Sequence, residues 1–185
     1  DQIAVFSAKD WKMSSSTTLK SMEYESFDNL SVEAVSKGYI GVQDYAYGEN
    51  AHFAADTMKK IFTFSEDSYY FYNEDKSFIS IAEKGMLKKY DSSSGKTVKT
   101  AKIPDGYNRG VLCGQYDIFG SDTFTMIQKD GKQRAILRDA QIYTVNEKQE
   151  LLFCRDQTGN NWFVYSLSKA KVVCKGKAGS YPCTL

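Results

Sequence analysis

Histidine is nearly absent from this 185-residue chain: the single residue is His52. Nucleophilic catalysis by a Ser-His-Asp or Cys-His arrangement needs a histidine base. His52 stands beside Phe53, where a partly exposed structural role is the expectation, so no catalytic residue is assigned. Prolines number two, and no apolar run is long enough to cross a bilayer as a helix. Charge of one sign is lacking too. The formal net charge of +1 removes any argument for nucleic acid, whose phosphates demand a clustered basic surface. Asp75, Asp91, Asp105 and Asp130 lack the regular spacing of a calcium loop. Gly106-x-x-x-Gly110 is not followed by Lys-Ser/Thr, which excludes a phosphate loop. The acidic pairs Glu66/Asp67 and Glu74/Asp75 fall in expected turns, where carboxylates solvate a loop rather than exchange protons. Neither an enzyme nor a cofactor is expected.

What the chain does have is aromatic residues, 13 Tyr, 11 Phe and 2 Trp. Flat rings pack well on a pleated surface and favour strands. Short apolar and aromatic runs recur after residue 60: Ile61–Phe64, Tyr69–Tyr72, Phe78–Ile81, Phe124–Ile127, Glu150–Cys154 and Trp162–Tyr165. Polar clusters of hairpin length separate them, among them Asn73–Lys76 and Glu83–Gly85. Asp130-Gly131 is the sharpest hairpin signal, because a primed two-residue turn needs positive φ. The stretch 135–145 is long for one strand and is expected to bend near Asp139. One helix is expected, over Ala51–Lys60, capped by Asn50. The reading is a single all-β domain over 1–185, an antiparallel meander.

The four cysteines, Cys113, Cys154, Cys174 and Cys183, suit two disulfides better than zinc, since no Cys-x-x-Cys spacing is present. Three connectivities are open; Cys154 is expected to join Cys113 or Cys174, with Cys183 in the tail after Pro182. Disulfides favour an oxidising compartment. The first Met is Met13, which fits removal of a signal peptide or a trimmed boundary, and Asn29-Leu30-Ser31 is a glycosylation sequon. The expectation is a secreted glycoprotein.

One stretch resembles a known family. Gln141–Asn146, Glu150–Cys154 and Trp162–Lys169 resemble the late strands of lipocalins, with Thr144-Val-Asn146 and Ser168-Lys169 at the motif positions and Trp11, after Asp10, as the early tryptophan. The resemblance implies a closed barrel, with Trp11 buried at one end under Lys169 in a cation–π contact. A barrel is therefore favoured over a small β-propeller. Its aromatic-lined interior would hold a small apolar molecule, with Trp11, Tyr70, Tyr72, Phe124, Tyr143, Trp162 and Tyr165 as candidate ligand-binding residues. The alternative is a propeller or sandwich that binds a protein partner or serves adhesion, with no small ligand. Metal, nucleic acid and a membrane span are not expected in either case.

Overall fold

A computed structural model describes residues 2–6, 9–18, 20–24, 26, 28–35, 38–73 and 75–177. Among them the regular structure is strands and one short 3-10 turn, Lys20–Met22. The chain forms two compact units, the first comprising Asp1–Ser68 with Asp91–Lys96, the second Tyr69–Tyr90 with Thr97–Leu185.

In the first unit, β1 (Gln2–Phe6) and β2 (Met13–Thr18) make a hairpin. A four-stranded antiparallel sheet follows in sequence order: β3 (Leu30–Val35), β4 (Tyr39–Asp44), β5 (Glu49–Ala54) and β6 (Lys60–Ser65). One face buries Ile40, Val42, Ala51 and Phe53 against Met22, Tyr24 and Met58. The helix expected over Ala51–Lys60 is corrected here. Its first residues are β5, and Asn50 is a buried strand residue opposite Gln43 and Phe64, not a cap. The alternation explains the change: Ala51 and Phe53 fill one face while His52 fills the other, so both faces are buried and no single apolar stripe exists.

The second unit repeats one pattern three times. Its sheets are β7 (Tyr69–Tyr72), β8 (Phe78–Glu83), β9 (Met86–Asp91) and β10 (Thr97–Lys102); β11 (Arg109–Cys113), β12 (Tyr116–Gly120), β13 (Phe124–Lys129) and β14 (Lys132–Arg138); and β15 (Gln141–Asn146), β16 (Leu151–Arg155), β17 (Asn161–Ser166) and β18 (Lys171–Lys177). The first strand of each sheet is the inner one: β7, β11 and β15 touch one another, and Asn73 bridges Val145 in parallel. β11 sends Val111 and Cys113 into a cluster with Ile142, Leu152 and Cys154, and Leu112 into another with Leu87 and Phe119. The last strands, β10, β14 and β18, are the opposite sheet edges and are largely exposed.

The expected strands are all present, and 135–145 does bend at Asp139, whose φ of 51° ends β14 and sends the chain into the next sheet. The barrel is not. Each four-stranded sheet is open, with distinct edge strands, so none closes on itself and no barrel interior exists among the described residues. The resemblance on 141–169 covers β15 to β17 and the turn after them, which lie in one such sheet. The paired cysteines are corrected as well: Cys113 and Cys154 are free thiols in the core and Cys174 is a free thiol exposed on β18. Cys183 lies outside the described residues. An even count suggested bridges, but Cys113 and Cys154 serve as small apolar core residues. Burial pushes both thiols up to about 12, which leaves them unreactive at neutral pH. The cysteine argument for an oxidising compartment falls with the bridges.

The Asp130-Gly131 turn has φ of 51° and 71°, as the primed hairpin requires, and a Cβ on Gly131 would meet no neighbouring atom. Gly131→Ala therefore isolates backbone strain and should lower stability by about 1 kcal/mol, read from urea unfolding midpoints. An unchanged midpoint would contradict the turn assignment.

Candidate functional site

The inner strands of the second unit run in the same direction, which gives that unit two chemically different ends. At the end where they finish, Lys89 is only 4% exposed. Its ammonium lies 4.2 Å from the centroid of the Phe78 ring and 2.5 Å from the Glu147 carboxylate, and Gly114 N–H donates to the other Glu147 oxygen at 3.0 Å. One carboxylate thus ties β9, the β11–β12 turn and the β15–β16 turn together. Beside it lies a cleft of about 130 Å³ lined by Asn73, Asp75, Ser77, Phe78, Asn146 and Lys148 among others. Asp75 accepts hydrogen bonds from Ser77 Oγ and N–H, Lys148 and Asn73, and those to Ser77 chiefly hold its carboxyl well below the usual carboxylate range. The charges around this cleft answer one another, so this end fastens sheets together.

The end where the inner strands begin is different. Arg109, at the start of β11, donates to Ser121 O at 2.6 Å and Asp122 at 3.3 Å, and its guanidinium lies 5.4 Å from the Tyr69 ring centroid at the start of β7. Arg155 lies 4.0 Å from the centroid of Tyr143, a ring that is 55% exposed in β15. Gln157 ties the loops behind them: its N–H donates to Asp139 at 3.1 Å and its side-chain amide to Asp122 O at 2.9 Å. Loops that are normally mobile are cross-braced here, and the exposed rings of Tyr69 and Tyr143 are each backed by an arginine. Phe124, exposed at the start of β13 just after Asp122, belongs to the same end.

The seven candidate ligand residues do not share an interior. Trp11, in the first unit, is 78% exposed, so its ring is not buried under Lys169. Lys169 sits in the exposed turn after β17, where its N–H is bound by Ser166 Oγ. Trp162 and Tyr165 are buried on alternate faces of β17. Tyr70 and Tyr72, half-buried on β7, meet edge to face with centroids 6.0 Å apart. Only Phe124 and Tyr143 reach the described surface, and the arginines that support it were not singled out by sequence. The pairing of inner-strand starts that brings Arg109 to Tyr69 is long-range, and no local signal announces it. Asn29 is exposed in the turn before β3.

His52 is also corrected, from partly exposed to 1% exposed. It stacks on Tyr39 at 4.6 Å, meets Phe62 at 4.5 Å, and its Nδ1 lies 3.4 Å from the Ser92 carbonyl. Desolvation lowers its pKa from 6.5 to about 4. A buried neutral ring wedged between aromatics is a core residue, not a base facing substrate.

Two outcomes follow from these environments. The unfolded chain takes up the His52 proton near pH 6.5 and the folded chain only near 4, so this contribution to stability is full above 6.5 and is lost as pH falls to 4, by on the order of 3 kcal/mol. Urea midpoints across that window should fall in the native chain and fall less in His52→Phe; equal slopes would contradict the buried neutral ring. At the fastened end, Glu147→Ala leaves the Lys89 charge buried without its partner and should cost about 3 kcal/mol, more than Lys89→Met, which removes the charge itself. The reverse order in thermal melts would contradict the pairing.

No protein-family model matches the sequence, and no curated protein is found similar to it. Solved structures do match. BamB from Moraxella catarrhalis is similar over 97% of this chain and 59% of its own, at 9% identity and a TM-score of 0.51. Hsv2 from Kluyveromyces marxianus is similar over 97% of this chain and 60% of its own, at 10% identity and a TM-score of 0.55. The chain thus spans about 60% of the length of the structures it matches. Both are β-propeller proteins, and a likeness at this identity is one of fold. Successive four-stranded antiparallel sheets with their first strands innermost are propeller blades, and the fold is of propeller type in place of the lipocalin barrel.

Proposed function

We propose that this chain is a protein-interaction module of the propeller class, and that its contact surface is the end of the second unit where β7, β11 and β15 begin. A carrier of a small apolar molecule is not supported, because the open sheets enclose no barrel interior among the described residues. The observation that carries the reading is the pair of arginine-backed exposed tyrosines, Arg109 with Tyr69 and Arg155 with Tyr143. Tyrosine and arginine dominate the energetics of protein interfaces, since each offers a large flat contact with a polar edge. Their loops are held by Gln157 before any partner arrives, so little conformational freedom would be lost on binding. In this reading the chain performs no covalent chemistry, and protein is the partner class.

The test is quantitative capture from an extract of the source cells by the immobilised chain, with bound proteins identified by mass spectrometry. The double variant Arg155→Ala, Tyr143→Ala should keep its circular dichroism spectrum and melting temperature within a few degrees. Its affinity for the captured partner should fall about thirtyfold, the loss that about 2 kcal/mol of hot-spot energy represents. A variant that folds normally and captures the same protein equally well would overturn the assignment of this surface.

A further inference from the structure

The outer strands of the second unit are all basic. β10 carries Lys99 and Lys102, β14 carries Lys132, Arg134 and Arg138, and β18 carries Lys171, Lys175 and Lys177, with no acidic residue in any of the three. Lysine on a sheet edge is a common guard against unwanted strand pairing, and for β10 and β14 that suffices. Lys99 is moreover answered by Asp117 at 2.5 Å.

β18 has more than a guard. Val172 and Val173 are exposed on it. Along it runs an apolar groove of about 530 Å³ lined by Trp162, Phe163, Val172 and Gly176, with Lys175 and Lys177 at its rim. The Trp162 ring rests against Gly176 and is fixed there, since its indole N–H donates to Lys177 O at 3.0 Å. Lys171 and Lys175 enter no ion pair among the described residues. An edge strand, a preformed aromatic groove and cations without counter-charges therefore coincide at one place. We propose that β18 receives an extended acidic peptide as an added strand. Main-chain hydrogen bonds along the edge supply affinity. An apolar side chain in the Trp162 groove and carboxylates beside Lys171 and Lys175 supply specificity. The groove lies on the outer strand, whereas Arg155 is the cross-strand neighbour of Trp162 on the inner side.

The experiment is fluorescence anisotropy on the full chain, with a fluorescein-labelled peptide of alternating glutamate and leucine. An extended peptide of that pattern puts carboxylates on one side and apolar groups on the other. Saturable binding is expected, about tenfold weaker for Lys175→Glu and for Lys171→Glu, both exposed positions whose folding circular dichroism will verify. The lysine–leucine counterpart should not bind. N-methylation of alternate amides in the acidic peptide should abolish binding, because it removes the donors that a strand addition needs. Equal binding of the two peptides, or indifference to charge reversal or to N-methylation, would each overturn the proposal. So would a concentration-dependent dimer in sedimentation that Val173→Lys abolishes while the acidic peptide fails to bind, which would give the edge to a second copy.

Discussion

The close approach of neighbouring sheets at β11 is the constraint on which the second unit depends. This strand has both faces buried: Val111 and Cys113 point to one neighbouring cluster and Leu112 to the other. Gly110 makes the approach possible. A Cβ at that position would collide with the Ile118 carbonyl and lie 2.8 Å from Leu87 of the adjacent sheet. Ser80 then reaches across so that Leu112 N–H donates to its hydroxyl at 3.0 Å, a buried bond between two sheets. Strands this short cannot stabilise an open four-stranded sheet alone, so each sheet is held by covering the faces of its neighbours.

The rest of the arrangement follows from that stacking. With the faces of the sheets consumed by packing, polar side chains collect at the two ends of the inner strands and at the outer edges. One end is used for fastening, through Lys89, Glu147 and Gly114. The other presents tyrosine rings backed by arginines. A closed barrel would have distributed these residues differently, turning alternate side chains of every strand into one shared interior. Here alternate residues of a strand enter separate layers, and the aromatics of β17 illustrate it: Tyr165 joins the cluster around Leu152, whereas Trp162 lies against Gly176 of the outer strand.

Much of the local structure could be read from residues in sequence, and little of the assembly could. Asp130-Gly131 gave its turn because positive φ is a local demand, and the short aromatic runs gave strands because length and flanking polar clusters agree. Strands buried on both faces carry no alternation, so nothing in Ala51–Phe53 separated a strand from a helix, and nothing in Tyr69–Tyr72 said what each ring would face. The lipocalin resemblance rested on the late segments 141–146, 150–154 and 162–169, with Thr144–Asn146 and Ser168-Lys169 at motif positions, and on Trp11. Asn146 does serve a turn, accepting from Gln149 N–H at 2.9 Å, but a turn of that kind fits a propeller blade as well as a barrel. The inner strands of the second unit start at Tyr69, Arg109 and Gln141, a recurrence that lies in chain spacing and not in residue identity. His52 and Cys113 misled for a common reason. Burial is set by what packs on a residue from distant sequence, and composition does not report it.

Amide hydrogen exchange of the intact chain, resolved by peptide, tests most directly the claim that open stacked sheets replace a closed barrel. The inner pairs β7–β8, β11–β12 and β15–β16 should exchange slowest and β10, β14 and β18 fastest, because the edges of β7, β11 and β15 face one another whereas β10, β14 and β18 are largely exposed edges. Uniformly slow exchange that includes β10, β14 and β18 would mean that the sheets have no free edges, and would contradict the account.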